Sequence, residues 1–205
     1  MKELEKTMYD MQQAAEIIRT GGVVLWPSCG VYGLACHAQD RQAVERIYSI
    51  KTRERNKPLP VMASRRTAHK YGDLTELAKS LIQRYWPGFL GLIVPKRQTV
   101  PDFVTAGGHS VALVCPNELA AELAELVDNP IAATSANISG RAEILDPATA
   151  VAQFEGQVDA IIHGPILPGI LNTLLDLTQS PPTVIRKGGV AVEELRLHVP
   201  NLKFN

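Results

Sequence analysis

Short, unbroken apolar runs alternate with amphipathic segments along most of this chain, and that alternation constrains the fold more than any other feature. Residues 23–26, 59–63, 90–94, 111–115, 131–133, 158–163, 173–177 and 183–186 read as strands. Runs such as 90–94 and 111–115 lack polar alternation, as in strands covered on both faces. Between them, helices are predicted over 10–19, 40–50, 74–86, 117–127 and 146–154. Asp10 and Asp40 are candidate N-caps, and Asp146-Pro147 combines an N-cap with proline at the first helical position. Strand–helix alternation gives an α/β class. Two strand-to-strand steps near the C-terminus lack a helix between them, so a twisted mixed sheet with flanking helices is expected. Residues 28–33 read as a loop, and the last fifteen or so residues are indistinct. There is no internal repeat, low-complexity stretch or obvious linker, so 1–205 is expected to be a single domain.

Composition excludes several classes. With 45% hydrophobic and 20% charged residues and zero net charge, the chain is not of the disordered type. No apolar run reaches the roughly 18 residues of a membrane helix, and the charged, polar start is unlike a secretory signal. Three scattered cysteines (Cys29, Cys36 and Cys115) make no disulfide framework, which suits a reducing, cytoplasmic setting. Cys29 and Cys115 read as small apolar residues. The five histidines share no metal-ligand spacing, so no protein metal site is expected. Lys51, Arg53, Arg55, Lys57, Arg65 and Arg66 crowd one stretch with only Glu54 opposing them. A solvated surface accounts for such a run, as does a phosphate-bearing ligand.

Four loops follow strands or helices where α/β proteins gather ligands. Pro27-Ser28-Cys29-Gly30-Val31-Tyr32-Gly33 is rich in small residues that let backbone approach a ligand, with Tyr32 able to stack or hydrogen-bond. Lys51-Thr52-Arg53, continuing to Lys57, sets cations at a helix end, suited to clamping a polyphosphate or to capping the helix. Thr134-Ser135-Ala136-Asn137-Ile138-Ser139-Gly140 presents hydroxyls and an amide. Arg186-Lys187-Gly188-Gly189 adds cations after the last strand. No Gly-rich Lys-Ser/Thr phosphate loop and no Gly-x-Ser-x-Gly elbow occurs.

The ordered segments GGVVLWP, GVYGLACHAQD, AVERIYSIKTR, KPLPVM, WPG, VPDFVTAGG, PIAATSANISG, VDAIIHG and VIRKG, spanning about 13–190, resemble the YrdC-like family, the threonylcarbamoyl-AMP synthases. The resemblance implies a YrdC-like fold with a cationic cavity. It implies a nucleotidyl transfer in which threonine, bicarbonate and ATP give threonylcarbamoyl-AMP and pyrophosphate, with Mg2+ accompanying the polyphosphate. A downstream transferase would then modify tRNA, and some relatives bind double-stranded RNA. Carried over position by position, Lys51 and Arg53 are the catalytic phosphate clamp. Lys57, Ser110, Ser135, Asn137 and Arg186 complete the ATP site, and Ser28, Gly30, Tyr32 and Thr173 face the amino-acid substrate.

The departures from the family pattern cluster. The usual Pro-Thr-Asp-Thr-Val-Tyr-Gly-Leu is Pro27-Ser28-Cys29-Gly30-Val31-Tyr32-Gly33-Leu34, and the usual Arg-x-Pro is Val114-Cys115-Pro116. Pro-Gly-Pro-Leu-Thr is Pro87-Gly88-Phe89-Leu90-Gly91, Ser-Thr is Asn172-Thr173, and Glu143 stands near a small-hydroxyl position. By the resemblance these changes fall on the amino-acid side, where losing an arginine that pairs a buried carboxylate costs about 3–5 kcal/mol. The carbamoyltransferase domains of hydrogenase maturation also lack that arginine. Three readings stay open: a threonylcarbamoyl-AMP synthase, an adenylate-forming paralogue with another carbamoyl or amino-acid substrate, and a non-catalytic nucleotide- or RNA-binding module.

Overall fold

The computed structural model describes residues 10–204. In chain order the elements are α1 (Met11–Arg19), β1 (Val23–Pro27), β2 (Tyr32–His37), α2 (Arg41–Lys51), β3 (Val61–Met62), α3 (Glu76–Tyr85), β4 (Leu90–Pro95), β5 (Ser110–Val114) and α4 (Glu118–Val127). They continue with β6 (Ile131–Ser135), α5 (Pro147–Phe154), β7 (Ala160–Ile161), β8 (Thr173–Asp176), β9 (Thr183–Arg186), α6 (Val192–Arg196) and β10 (Lys203–Phe204). The strands join in one ten-stranded sheet ordered β10-β9-β8-β4-β5-β3-β6-β2-β1-β7. β1–β7, β3–β5, β4–β8 and β9–β10 are parallel and the other pairs antiparallel, so the expected mixed α/β sheet is present.

The caps read from sequence are in place. Asp10 accepts from the Gln13 N–H in a capping box, Asp40 accepts from Gln42 and Ala43, and Asp146 accepts from Thr149 with Pro147 behind it. Each satisfies backbone donors that the first helical turn leaves unpaired.

The sheet is buried on both sides. Val23 and Leu25 join the larger core with Leu34 and Ile47, whereas Val24 and Trp26 turn to a second core closed by Ala14, Ile18 and Leu123. Burial on both faces explains why sequence pattern missed one of the central strands. Tyr32–His37, assigned to loop up to Gly33 and left without a structure beyond it, is β2, which pairs β1 on one side and β6 on the other. Its Gly33, Ala35 and Cys36 are small and show no polar alternation, so period-two reasoning had nothing to detect. Other boundaries move by a few residues: the 59–63 run pairs only over Val61–Met62, 158–163 only over Ala160–Ile161, and 131–133 extends to Ser135. The indistinct C-terminal stretch supplies α6 and the edge strand β10. No helix among the described residues is long and apolar enough to cross a membrane.

One consequence places the site. β1 and β6 end where β2 and β3 begin, as the pairs Pro27↔Tyr32, Gly33↔Ser135 and Val61↔Ala132 fix, and β5 and β9 end where β4 and β8 begin, as the pairs Gly91↔Val114, Leu90↔Thr173 and Leu174↔Arg186 fix. Loops distant in sequence therefore meet in two groups.

Trp86 leads the chain into β4. It is fully buried, and its indole N–H donates to the Leu90 carbonyl at 2.7 Å. Trp86→Ala removes a large core side chain and orphans that carbonyl, so it is expected to lower unfolding stability by about 3–5 kcal/mol. Urea denaturation measures this, and a loss under about 1 kcal/mol would refute the packing described.

Candidate functional site

Residues from both groups line one cavity of about 510 Å³. Its lining draws on all four loops singled out in the sequence: Ser28, Cys29 and Gly30; Lys51, Arg53 and Lys57; Ser135, Asn137 and Ser139; and Arg186. Lys51, the last residue of α2, is buried. Its ammonium donates to the Ser135 carbonyl, to the Asn137 carbonyl at 2.7 Å and to Asn137 Oδ1 at 2.9 Å. An ammonium has three donors, and all three are used. In return the Ser139 N–H donates to the Lys51 carbonyl at 2.9 Å. Asn137 extends the network: its Oδ1 accepts from Ser135 Oγ at 2.6 Å, and its Nδ2 donates to the Arg141 carbonyl at 2.7 Å. The 135–141 loop is thus wound around one lysine.

Burial pulls the Lys51 ammonium down to about 8, with the Arg53 charge adding to the fall and the Glu143 carboxylate opposing it. Oxygen acceptors on every donor keep it ionised at neutral pH. Arg53 is half-buried and donates to the Lys57 and Pro58 carbonyls at 3.2 and 2.9 Å. Burial lowers the Arg53 and Arg186 guanidinium groups as well, against the Glu143 charge at Arg186. Arg186 Nε donates to the Asn172 carbonyl at 3.1 Å, and exposed Lys57 pairs with Glu54 at 3.3 Å.

Part of the lining is uncharged: Trp26 in β1, Pro60 just before β3, Val114 and Pro116 at and beyond the end of β5, and Ala133 in β6. Cys29 also lines the cavity. Burial raises its thiol to about 12, so it stays protonated, and Sγ lies 3.7 Å from Asn172 Oδ1.

Three residues assigned to the site by resemblance stand outside the lining. Ser110 is at the opposite end of β5 from Val114 and pairs with Pro95. Tyr32 is buried, its hydroxyl donating to the Pro165 carbonyl at 3.1 Å. Thr173 is buried with Oγ1 donating to the Val190 carbonyl at 2.7 Å and accepting from its N–H. Tyr32 and Thr173 anchor the site's supports instead of facing its space. Lys187 turns away as well, its ammonium over the Phe204 ring.

Sequence reasoning missed Arg141 and the segment from Gly164 to Leu171. That segment crosses the first loop: the Gly169 N–H donates to the Gly30 carbonyl at 2.8 Å, and the Leu167 N–H to the Leu145 carbonyl at 2.8 Å. A Cβ on Gly30 would lie 1.6 Å from the Ile170 carbonyl oxygen, and one on Gly164 2.6 Å from the Pro27 ring. Two prolines and two glycines in this stretch were the available signal.

The Sua5/YciO/YrdC family model, described as "Telomere recombination", matches residues 16–188. The chain belongs to this family. The threonylcarbamoyl-AMP synthase of Pyrococcus abyssi is 37% identical over 196 residues, covering 94% of this chain and 58% of the relative. The threonylcarbamoyl-AMP synthase of Pseudomonas syringae pv. syringae is 34% identical over 157 residues, covering 75% of this chain and 84% of the relative. The crystal structure of P. abyssi Sua5 complexed with L-threonine superposes with a TM-score of 0.89 at 37% identity, over 95% of this chain and 58% of that one. The chain therefore spans a little under three-fifths of the P. abyssi protein's length. Every lining residue falls within the matched segment.

Gly30→Ala is expected to push the Ile170 segment off the first loop and to cost about 1–3 kcal/mol by overpacking. Chemical denaturation checks the stability. A variant as stable as the parent would show that the close approach of Gly30 and Ile170 does not exist in solution.

Proposed function

We propose that the chain is a threonylcarbamoyl-AMP synthase: ATP, bicarbonate and threonine give threonylcarbamoyl-AMP, pyrophosphate and water. The observation that carries the reading is the gathering of Lys51, Arg53, Lys57 and Arg186 with Ser135 and Asn137 on one cavity, in a chain that matches threonylcarbamoyl-AMP synthases over most of its length. The 205 residues act as one catalytic unit in this reading.

In chemical terms, the threonine amine captures the carbon of bicarbonate as a carbamate, with loss of water. A carbamate oxygen attacks the α-phosphorus, and the bond to the bridging oxygen breaks so that pyrophosphate leaves. Such transfers need orientation and charge neutralisation more than covalent help from the protein. Arg53, Lys57 and Arg186 supply cations towards the phosphates. Lys51, with its hydrogens committed to the loop, contributes its positive field and holds Ser135 and Asn137 in place. Preorganised charge of this kind needs no rearrangement when the phosphate oxygens gain charge. The described residues offer no group of three ligating side chains for a metal. Mg2+ accompanying the polyphosphate would supply further charge neutralisation, and no step here depends on it. A tRNA-modifying transferase is the consumer this product implies.

The test is pyrophosphate release by the full chain. Release is expected only when ATP, bicarbonate and threonine are all present. Release without threonine, or with carbamoyl phosphate in its place, would replace this reading with that of a paralogous adenylate-forming enzyme. No release from any mixture would leave only a binding role.

A pH dependence follows from Lys51. Its ammonium titrates at about 8 in the free protein, so the cavity loses a positive charge as pH rises through that value. Affinity for a non-hydrolysable ATP analogue is therefore expected to fall between about pH 7 and 9.5, and the fall should be missing in Lys51→Met. A flat profile in the parent would remove Lys51 from the phosphate field.

A further inference from the structure

Five cations line the cavity: Lys51, Arg53, Lys57, Arg141 and Arg186. Four of them already rest on oxygens of the protein, as described above. Arg141 differs. Its backbone is engaged, the N–H donating to the Ile138 carbonyl at 2.9 Å and the carbonyl accepting from Asn137 Nδ2. Among the described residues its guanidinium forms no ion pair and donates no hydrogen bond. Two residues along stands Glu143, the one acidic side chain on the lining among the described residues. It is equally without an ion-pair partner among the described residues, and the two do not pair with each other. Glu143 is within Coulombic reach of Lys51 and Arg186, so it borders the cationic group.

We propose that Arg141 and Glu143 are a zwitterion-reading pair: Arg141 takes the carboxylate of the amino-acid co-substrate and Glu143 its ammonium. The assignment rests on the reading that this cavity binds an amino acid beside ATP. It follows from exclusion and from fit. A carboxylate against Trp26, Pro60, Val114, Pro116 and Ala133 would be desolvated with no cation to meet it, which is unfavourable. Arg53 and Arg186 are partly spent on carbonyls, and Lys51 is fully spent. A guanidinium with its fork unused matches a carboxylate with two parallel hydrogen bonds. A lone carboxylate inside an otherwise anion-binding cavity weakens anion binding unless the ligand brings a cation to it. An α-ammonium two or three bonds from an α-carboxylate is such a cation. The pair also adds no net charge, so it reads the amino acid without competing for the triphosphate. The uncharged wall then receives the amino-acid side chain.

Calorimetry on the full chain with a non-hydrolysable ATP analogue present tests this, using threonine, threoninamide and N-acetylthreonine as probes. The parent is expected to bind threonine at least about tenfold more tightly than either neutralised form. Arg141→Gln should lose the advantage over threoninamide and keep that over N-acetylthreonine. Glu143→Gln should show the reverse. A general disturbance of the loop would not produce this crossed pattern. If both variants keep both preferences, or both lose both, the pair is wrong. The parent alone also decides: binding of the ATP analogue without either threonine preference overturns the pair and leaves the ATP-dependent reading standing. Failure to bind the analogue overturns that reading and the pair with it.

Discussion

The buried Lys51 ammonium is the interaction on which the site depends. A cation removed from water must find compensation, and a carboxylate partner is one solution. Here the compensation is three uncharged oxygens from the 135–137 turn. This choice has a structural consequence. Carbonyl oxygens from successive residues converge on one point only if the chain curls around it, so the lysine dictates the path of the loop that leaves β6. Asn137 carries the curl onward through its bonds to Ser135 and Arg141. It also has an electrostatic consequence. Because no acid among the described residues neutralises Lys51 at contact distance, its charge remains available to the cavity.

A second constraint acts on the other side of the same opening. The 164–172 segment lies so close over the first loop that a side chain at Gly30 has no room, and Tyr32 is consumed in holding Pro165. The first loop therefore offers backbone and short side chains to the cavity and no large group. Its Cys29 remains a neutral thiol under that cover, because burial opposes ionisation. Charge in the cavity thus comes from α2, the loop after it, the 135–143 turn and β9, while the ends of β1 and β5 stay neutral.

Much of this was legible in the sequence, for identifiable reasons. Helix caps are local chemistry, and Asp10, Asp40 and Asp146 are each used as their side chains suggest. The four loops singled out announced themselves by small or charged residues directly after regular elements, and one cavity draws on all four. What failed was whatever depended on partners remote in the chain. β2 is a central strand whose small residues fit between two neighbours, and nothing within 32–37 reveals those neighbours. Tyr32 and Thr173 carry polar groups that look ligand-ready in isolation, yet each is satisfied by a carbonyl from another segment. Ser110 fails for direction: it begins the strand whose other end reaches the cavity. Arg141 escaped notice because an isolated arginine in a polar loop is ordinary until its neighbours prove to be occupied.

Occupied and unoccupied polar groups also divide the labour of the cavity. Groups held by the protein's own oxygens are fixed before a ligand arrives, and fixed charge suits a partner of constant shape such as a triphosphate. A residue with no internal partner has its orientation set by the ligand, at some cost in side-chain entropy, and it loses a favourable contact whenever the ligand lacks the matching group. Discrimination between ligands follows from that loss. In the proposed reading the engaged cations hold the nucleotide, and Arg141 and Glu143, without ion-pair partners among the described residues, choose the co-substrate. Both lie between Trp26 and Arg186, inside the segment shared with relatives of greater length.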